Sequence, residues 1–293
     1  MNIDRAAAAD FMATHARVLD RRRFELRAGQ PDPSAVLAAL EGYRNPDGGY
    51  GWGLEPDLRS TSSQPGGALH AFEVFADIAP ATTPEAAALC DWLDAVALPG
   101  GGLPFALPVP DPAGCAPFWV GADPSVPSLQ ITAIVTAEAY RVARHDPAVA
   151  GHRWLDRATD YCLRAIEELP ADPFALELAF SVRLLDLIAD RRPEAKALLS
   201  GLARHIPDSG LVHVAGGLDD ETMRPLDFAP TPDGPARQLF APELIDAELA
   251  RLAGEQRPDG GWAVDFASYS PAAALDWRGH ATVRAVSMLR ANA

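Results

Sequence analysis

Arg44-Asn45-Pro46-Asp47-Gly48-Gly49-Tyr50 returns far down the chain as Gln256-Arg257-Pro258-Asp259-Gly260-Gly261-Trp262. Pro-Asp-Gly-Gly is turn chemistry, because proline presets one φ and glycine supplies a positive φ at no steric cost. Each copy follows an amphipathic stretch and precedes, some fifteen to twenty residues on, a more apolar one. A looser third copy, Pro99-Gly100-Gly101-Gly102-Leu103-Pro104-Phe105, precedes the apolar stretch that begins at 128. The recurring unit reads as an outer helix, a glycine turn, an aromatic residue packing the turn, a loop and an inner helix. Coincidence between common turn motifs is the competing account. Against it stands the repeated position relative to the helices.

Working outward, helical patterns dominate and no series of strands is evident. Helices are predicted over 5–27, 33–43, 63–78, 84–97, 128–144, 149–168, 173–189, 193–205, 241–255 and 279–291. Start signals mark several of them: Ser62 and Ser63 with Pro65, Thr83 with Pro84, Pro127 with Ser128, Asp172 with Pro173. Two kinds of helix alternate. In 149–168, Trp154, Ala158, Cys162 and Ile166 share a face, and Arg153, Asp156, Asp160 and Arg164 fill the other. One side of such a helix meets water. In 128–144 and 173–189 apolar residues run almost all round, as in Ile131, Ile134, Val135 and Phe180, Val182, Leu184. Such a helix has protein on every side. The alternation predicts an all-α, single domain over 1–293, an α/α toroid of about five to six helical hairpins. Its inner ring is 63–78, 128–144, 173–189 and 279–291; 33–43, 84–97, 149–168 and 241–255 lie outside. Ile134, Phe180 and Val286 are then expected inside, Asp156 and Arg164 outside. Residues 207–240 carry no clear inner helix, so loop is expected to replace one.

Composition bounds the function. The 293 residues are 48% hydrophobic and 22% charged, which excludes global disorder. The 27 prolines are about 9%, against roughly 5% on average, so the loops are expected to be long and ordered. Net charge is −15, which argues against a nucleic-acid partner and against a polybasic membrane anchor. Three cysteines make no disulfide framework, and no apolar run reaches the length of a membrane span. Met1-Asn2-Ile3-Asp4-Arg5 has no apolar signal core. A cytoplasmic protein with a small-molecule substrate and no transmembrane segment is expected.

Gln256-x-x-x-Gly260-x-Trp262 resembles the Gln-Trp repeat of squalene–hopene and oxidosqualene cyclases. The wider Asp-Gly-Gly-aromatic pattern before an inner helix resembles protein prenyltransferase β-subunits. Both are terpenoid-cyclase-like α/α toroids, in which these repeats tie helix ends together. The resemblance therefore implies a fold more than an activity. The cyclases' Asp-x-Asp-Asp acid is absent; Leu218-Asp219-Asp220-Glu221 is the nearest acidic run and reads as a solvated loop. Trp277-Arg278-Gly279-His280-Ala281-Thr282 resembles the stretch that bears a zinc-binding His in prenyltransferase β-subunits, without the companion Asp-x-Cys. No metal and no cofactor are expected.

Chemistry concentrates before the inner helices. In Trp52-Gly53-Leu54-Glu55-Pro56-Asp57-Leu58-Arg59, two carboxylates and an arginine occupy five positions. A partly buried carboxyl has a raised pKa and suits proton donation near neutral pH. Asp57 is the expected donor, Glu55 the second choice and Arg59 the cation that holds the partner carboxylate ionised. Alternatively Arg59 pairs with either carboxylate only to order the loop. Trp52, Trp119 and Trp277 are expected as walls, since aromatic faces stabilise cations and stack on sugars. His70, Glu73 and Asp77 form a polar strip on the helix 63–78, which is either cavity-facing or a satisfied core histidine with its partners. Gln64, Gln130 and His280 complete the expected binding set. In the stretch 224–237, Asp227 and Arg237 pair to order a loop or face the site. The site is expected between loops 52–65 and 115–128, the stretch 224–237, Trp277 and His280.

Three functions fit. One is a terpenoid-cyclase-like enzyme, an isomerase or lyase, acting on an isoprenoid or other apolar molecule by acid-initiated chemistry. Another is a carbohydrate-active hydrolase or lyase with paired carboxylates. The third is a binding protein on the same scaffold. Apolar inner helices favour the first over the second; the missing acid motif favours the third over the first.

Overall fold

The computed structural model describes residues 3–29 and 32–293. Met1 and Asn2, part of the stretch read for a signal core, lie outside the described residues. The helices are α1 (Arg5–His15), α2 (Val18–Arg27), α3 (Pro33–Glu41), α4 (Pro65–Asp77), α5 (Pro84–Val96), α6 (Pro117–Val120) and α7 (Leu129–Ala143). They continue as α8 (Pro147–Ala150), α9 (Arg153–Glu167), α10 (Ala175–Ile188), α11 (Pro193–Leu202), α12 (Pro225–Phe228), α13 (Pro242–Gly254) and α14 (Pro271–Ala291). The fold is mostly helical. Between α11 and α12 two short strands, β1 (Val212–His213) and β2 (Thr222–Met223), pair antiparallel. Among the described residues no helix is long and apolar enough to cross a membrane.

The glycine turns are built alike. Gly48, Gly101 and Gly260 have φ of 91°, 94° and 91°, a conformation that costs other residues strain. In each turn a backbone N–H three residues earlier donates to the carbonyl of the following glycine: Asn45 to Gly49, Leu98 to Gly102, Arg257 to Gly261. The residue after each turn, Tyr50, Leu103 or Trp262, is buried. Each turn is stitched to a helix on its far side. Gln64 N–H donates to Tyr50 O and Ser128 N–H to Leu103 O, while Trp262 N–H donates to Thr282 Oγ1. Gln256 reaches the start of the chain. Its Oε1 accepts Asp4 N–H at 2.7 Å, and its Nε2 donates to Asp4 O and Gly260 O.

Helices α2, α4, α7 and α10 lie side by side in that order, and α14 packs on α1 and α2. Between α10 and α14 stand α12 and α13. Helices α5, α9 and α11 pack behind this row. The amphipathic reading of α9 holds: Trp154, Ala158 and Cys162 are buried, Asp156 and Arg164 exposed. Ile134 and Val286 are buried and Phe180 is half-buried.

Three expectations change. The helix expected over 5–27 breaks at Ala16–Arg17, where ψ of 157° and 150° takes both residues out of the helix. The break lets Arg17 Nη1 donate to the carbonyls of Gly53 and Leu54, at 3.2 and 3.0 Å. The last helix starts at Pro271 rather than 279, capped by Ser270 accepting from Ala273 N–H. Trp277 and His280 are therefore both helical. As expected, residues 207–240 carry no long helix; they hold the β1–β2 hairpin and the four-residue α12. The inner helices are not apolar all round. Glu138 and Arg141 on α7, Arg183 on α10 and Arg284 on α14 face a common cavity. The apolar residues that dominate these sequences pack on neighbouring helices, and the few charges pair inside.

Candidate functional site

A cavity of about 940 Å³ opens against α2, α4, α7, α10 and α14. The segment 52–65 enters it through Glu55 and Asp57, the segment 115–128 through Phe118 and Trp119, and the stretch 224–237 through Asp227, Pro230 and Thr231. The hairpin tip at Gly216–Leu218 also lines it. Of the run Leu218-Asp219-Asp220-Glu221, expected as a solvated loop, the first three are exposed, while Glu221 is half-buried and lines the cavity.

Asp57 ties the walls together. It is 3% exposed. Its Oδ1 accepts the Tyr269 N–H at 3.0 Å and its Oδ2 accepts Trp277 Nε1–H at 2.7 Å. Its backbone carbonyl accepts Ala116 N–H, which pins the loop to the segment before α6. Burial pushes its carboxyl upward and the nearby Glu55 carboxylate adds to this, against the two N–H donors.

Beside it runs a line of titratable side chains. Glu55 Oε1 accepts the Asp57 N–H at 3.0 Å, and Glu55 Oε2 lies 2.9 Å from His70 Nε2. His70 Nδ1 is 3.2 Å from Glu73 Oε2, and the same oxygen is 2.9 Å from His280 Nε2. Burial opposes charging of His70, but Glu73 and Glu55 overcome it and raise its pKa to about 9. Burial likewise opposes ionisation of Glu73, and the two imidazoles hold its carboxyl well below the usual range. His70, Glu73 and His280 have donor atoms all within 4.8 Å of one another, a set that can hold a metal ion. The sequence expectation of no metal rested on spacing along the chain; here two ligand types one helical turn apart meet a third from the far end.

Aromatic rings line part of the cavity. Phe105 stacks on Trp119 with centroids 4.4 Å apart, and Phe118 meets Tyr269 edge-on at 5.4 Å. Phe266 stands edge-on to Trp277 at 5.1 Å. Trp119 Nε1 is buried without an acceptor among the described residues. A belt of paired charges lines the cavity as well. Arg183 donates to Glu138 at 2.7 Å, Arg141 pairs with the same carboxylate, and Arg23 donates to Asp77 at 2.8 Å.

The expected residues divide. Glu55, Asp57, His70, Trp119, Gln130, Asp227, Trp277 and His280 line the cavity. Arg59 does not hold Glu55 or Asp57; it pairs with Asp276 at 2.8 Å. Trp52 is no wall. Its φ of 58° turns it outward, 53% exposed, with its indole N–H on Asn45. Gln64 is buried but spends its amide on the Leu107 backbone, so it fastens one loop to another. Asp227 pairs with Arg284 rather than Arg237, which donates to Asn292 and Thr231 O. Sequence reading passed over Glu138, Arg141, Arg183 and Arg284. The spacing of Glu138 with Arg141 and of Trp277, His280 and Arg284, three to four residues apart on one helix face, was the available signal.

No family model and no curated protein matches this chain. Among solved structures, that of a protein from Actinoplanes is similar over 98% of this chain and 99% of its own, at 16% identity and a TM-score of 0.52. At that identity the likeness establishes a shared fold and nothing of the chemistry.

Proposed function

We propose that the helices close as an α/α toroid around the cavity, and that the protein is an enzyme acting on an apolar small molecule by proton donation from Asp57. The observation that carries this reading is a buried carboxyl, pushed toward its protonated form, on the wall of an aromatic-lined cavity of about 940 Å³. Asp57 gives its proton to the substrate. Ring faces stabilise the cation that forms, and Trp277, Phe266 and Trp119 in the lining are the rings to supply them. Loss of a proton from the product cation restores the Asp57 carboxyl, so the net reaction is an isomerisation. Glu55, fixed by the Asp57 N–H and by His70, positions the loop that presents the donor. This chemistry agrees with the resemblance to terpenoid cyclases.

The charged belt and the Phe105–Trp119 stack favour a second reading, a carbohydrate ligand. One screen separates the two. Wild-type protein is incubated with a panel of isoprenoid alkenes and epoxides and a panel of oligosaccharides, and products are followed by mass spectrometry. The acid-initiated reading expects conversion in the apolar panel, lost in Asp57→Asn. Conversion confined to oligosaccharides overturns it, and saturable binding without conversion in either panel leaves a binding protein.

A further inference from the structure

We propose that His70 Nδ1, Glu73 Oε2 and His280 Nε2 bind a divalent first-row transition metal, with an open coordination position toward the cavity. Metal–nitrogen and metal–carboxylate bonds of about 2.0–2.2 Å put adjacent ligand atoms about 3.0 Å apart in octahedral and about 3.4 Å apart in tetrahedral geometry. Glu73 Oε2 stands 3.2 Å from His70 Nδ1 and 2.9 Å from His280 Nε2, which matches this range. The helical register supplies the first pair. His70 and Glu73 are one turn apart on α4, and His280 reaches them from α14.

The surroundings suit an ion. Glu55 Oε2 lies 2.9 Å from the other nitrogen of His70. A carboxylate that accepts the remote N–H of a ligating histidine fixes its tautomer and orientation. In a neutral imidazole only one nitrogen carries hydrogen. Contacts from Glu55 and Glu73 to both nitrogens of His70 therefore require either a second proton or a metal. Two carboxylates balance a dication, and the proton displaced from Nδ1 leaves to solvent. Arg23 Nη1 lies 3.4 Å from Glu73 Oε2, but its Nε makes the shorter contact, 2.8 Å to Asp77 Oδ2, so Asp77 balances this cation and it fills no ligand position. Imidazole nitrogens exclude magnesium and calcium as the preferred ion, and a set of two histidines and one carboxylate suits zinc, cobalt or iron(II). All three ligands line the cavity, so a substrate oxygen or water has access to the ion.

The inference is independent of the acid-initiated reading and is tested without turnover. Chelator-stripped protein is titrated with Zn²⁺ by equilibrium dialysis, and with Co²⁺ by visible absorption. One ion per chain is expected, with a Co²⁺ spectrum of nitrogen and oxygen ligation. His280→Ala and Glu73→Gln, checked for folding by circular dichroism, should lose stoichiometric binding. Glu55→Gln should keep the stoichiometry and weaken affinity by about 10–100-fold; unchanged affinity removes the orienting role given to Glu55. Asp57→Asn should bind metal as wild type does, which separates this site from the proton donor. No uptake at one ion per chain by wild type, or uptake surviving in both His280→Ala and Glu73→Gln, overturns the proposal.

Discussion

Asp57 shows how one side chain is asked to do two things. Its oxygens anchor Tyr269 and Trp277, which stabilises the loop, while burial raises its carboxyl for proton donation. Asn keeps the shape and loses the acid. Asp57→Asn is expected to cut turnover by about 10²-fold or more. The melting temperature should fall by a few degrees, because an amide group accepts at only one end and leaves a donor short. Arg59 makes the contrast. The spacing Glu55-x-Asp57-x-Arg59 suggested a local ion pair, but the chain turns at Trp52 and Gly53 and sends Arg59 to Asp276. A partly exposed pair of that kind is worth about 0–1 kcal/mol. Arg59→Ala should therefore change stability by no more than about 1 kcal/mol in urea unfolding and leave turnover intact. The direction of a side chain in an irregular loop depends on partners far along the chain, and no spacing rule contains them.

At the scale of elements, the glycine turns were legible because their chemistry is local. Gly48, Gly101 and Gly260 adopt the same φ for the same reason. Their tertiary roles differ, and that difference is testable. A Cβ on Gly260 would stand 2.0 Å from Ala7 O, where α1 meets the turn. A Cβ on Gly48 would stand 3.3 Å from Ala88 O. Gly48→Ala is expected to cost about 1–3 kcal/mol from its φ alone. Gly260→Ala should cost clearly more, since backbone must also move, and equilibrium unfolding of the two variants gives the order. Helices α5 and α7 were read to within about a residue, because Pro84 and Ser128 announce them. The break between α1 and α2 was not legible; Ala16 and Arg17 are no breakers, and the carbonyls of Gly53 and Leu54 that engage Arg17 lie in another segment. The start of α14 was legible in Ser270-Pro271, but the polar residues Asp276, Arg278 and His280, spread around the helix, obscure the apolar period.

At the scale of the whole molecule, charges from several helices pair along one cavity, and stability should report that belt. Asp77 is buried on α4; burial opposes its ionisation, yet Arg23, Arg27 and Arg141 prevail and hold its carboxyl below the usual range. A carboxyl depressed in the folded state contributes stability above its unfolded pKa and loses it as pH falls through the folded one. Melting temperature should therefore drop as pH falls below the ordinary carboxyl range. Asp77→Asn should be destabilised by about 3 kcal/mol or more near neutral pH, because it strands buried guanidinium groups, and should show a shallower acid limb. Apart from the i,i+3 pair Glu138–Arg141, the belt was illegible in sequence because its members sit on α2, α4, α7 and α10 and pair between helices. Two loops that bound the cavity were legible because they precede the apolar helices α4 and α7, and the stretch 224–237 because its prolines mark a long ordered loop. The central claim is that a proton enters the substrate inside this cavity from Asp57. Running the reaction of the substrate found by the screen in D₂O, and reading the product by mass spectrometry, tests it most directly. One solvent deuterium per product molecule in wild type, with no product from Asp57→Asn, is the predicted result. Product free of solvent deuterium, or deuterated product formed at an undiminished rate by Asp57→Asn, would contradict it.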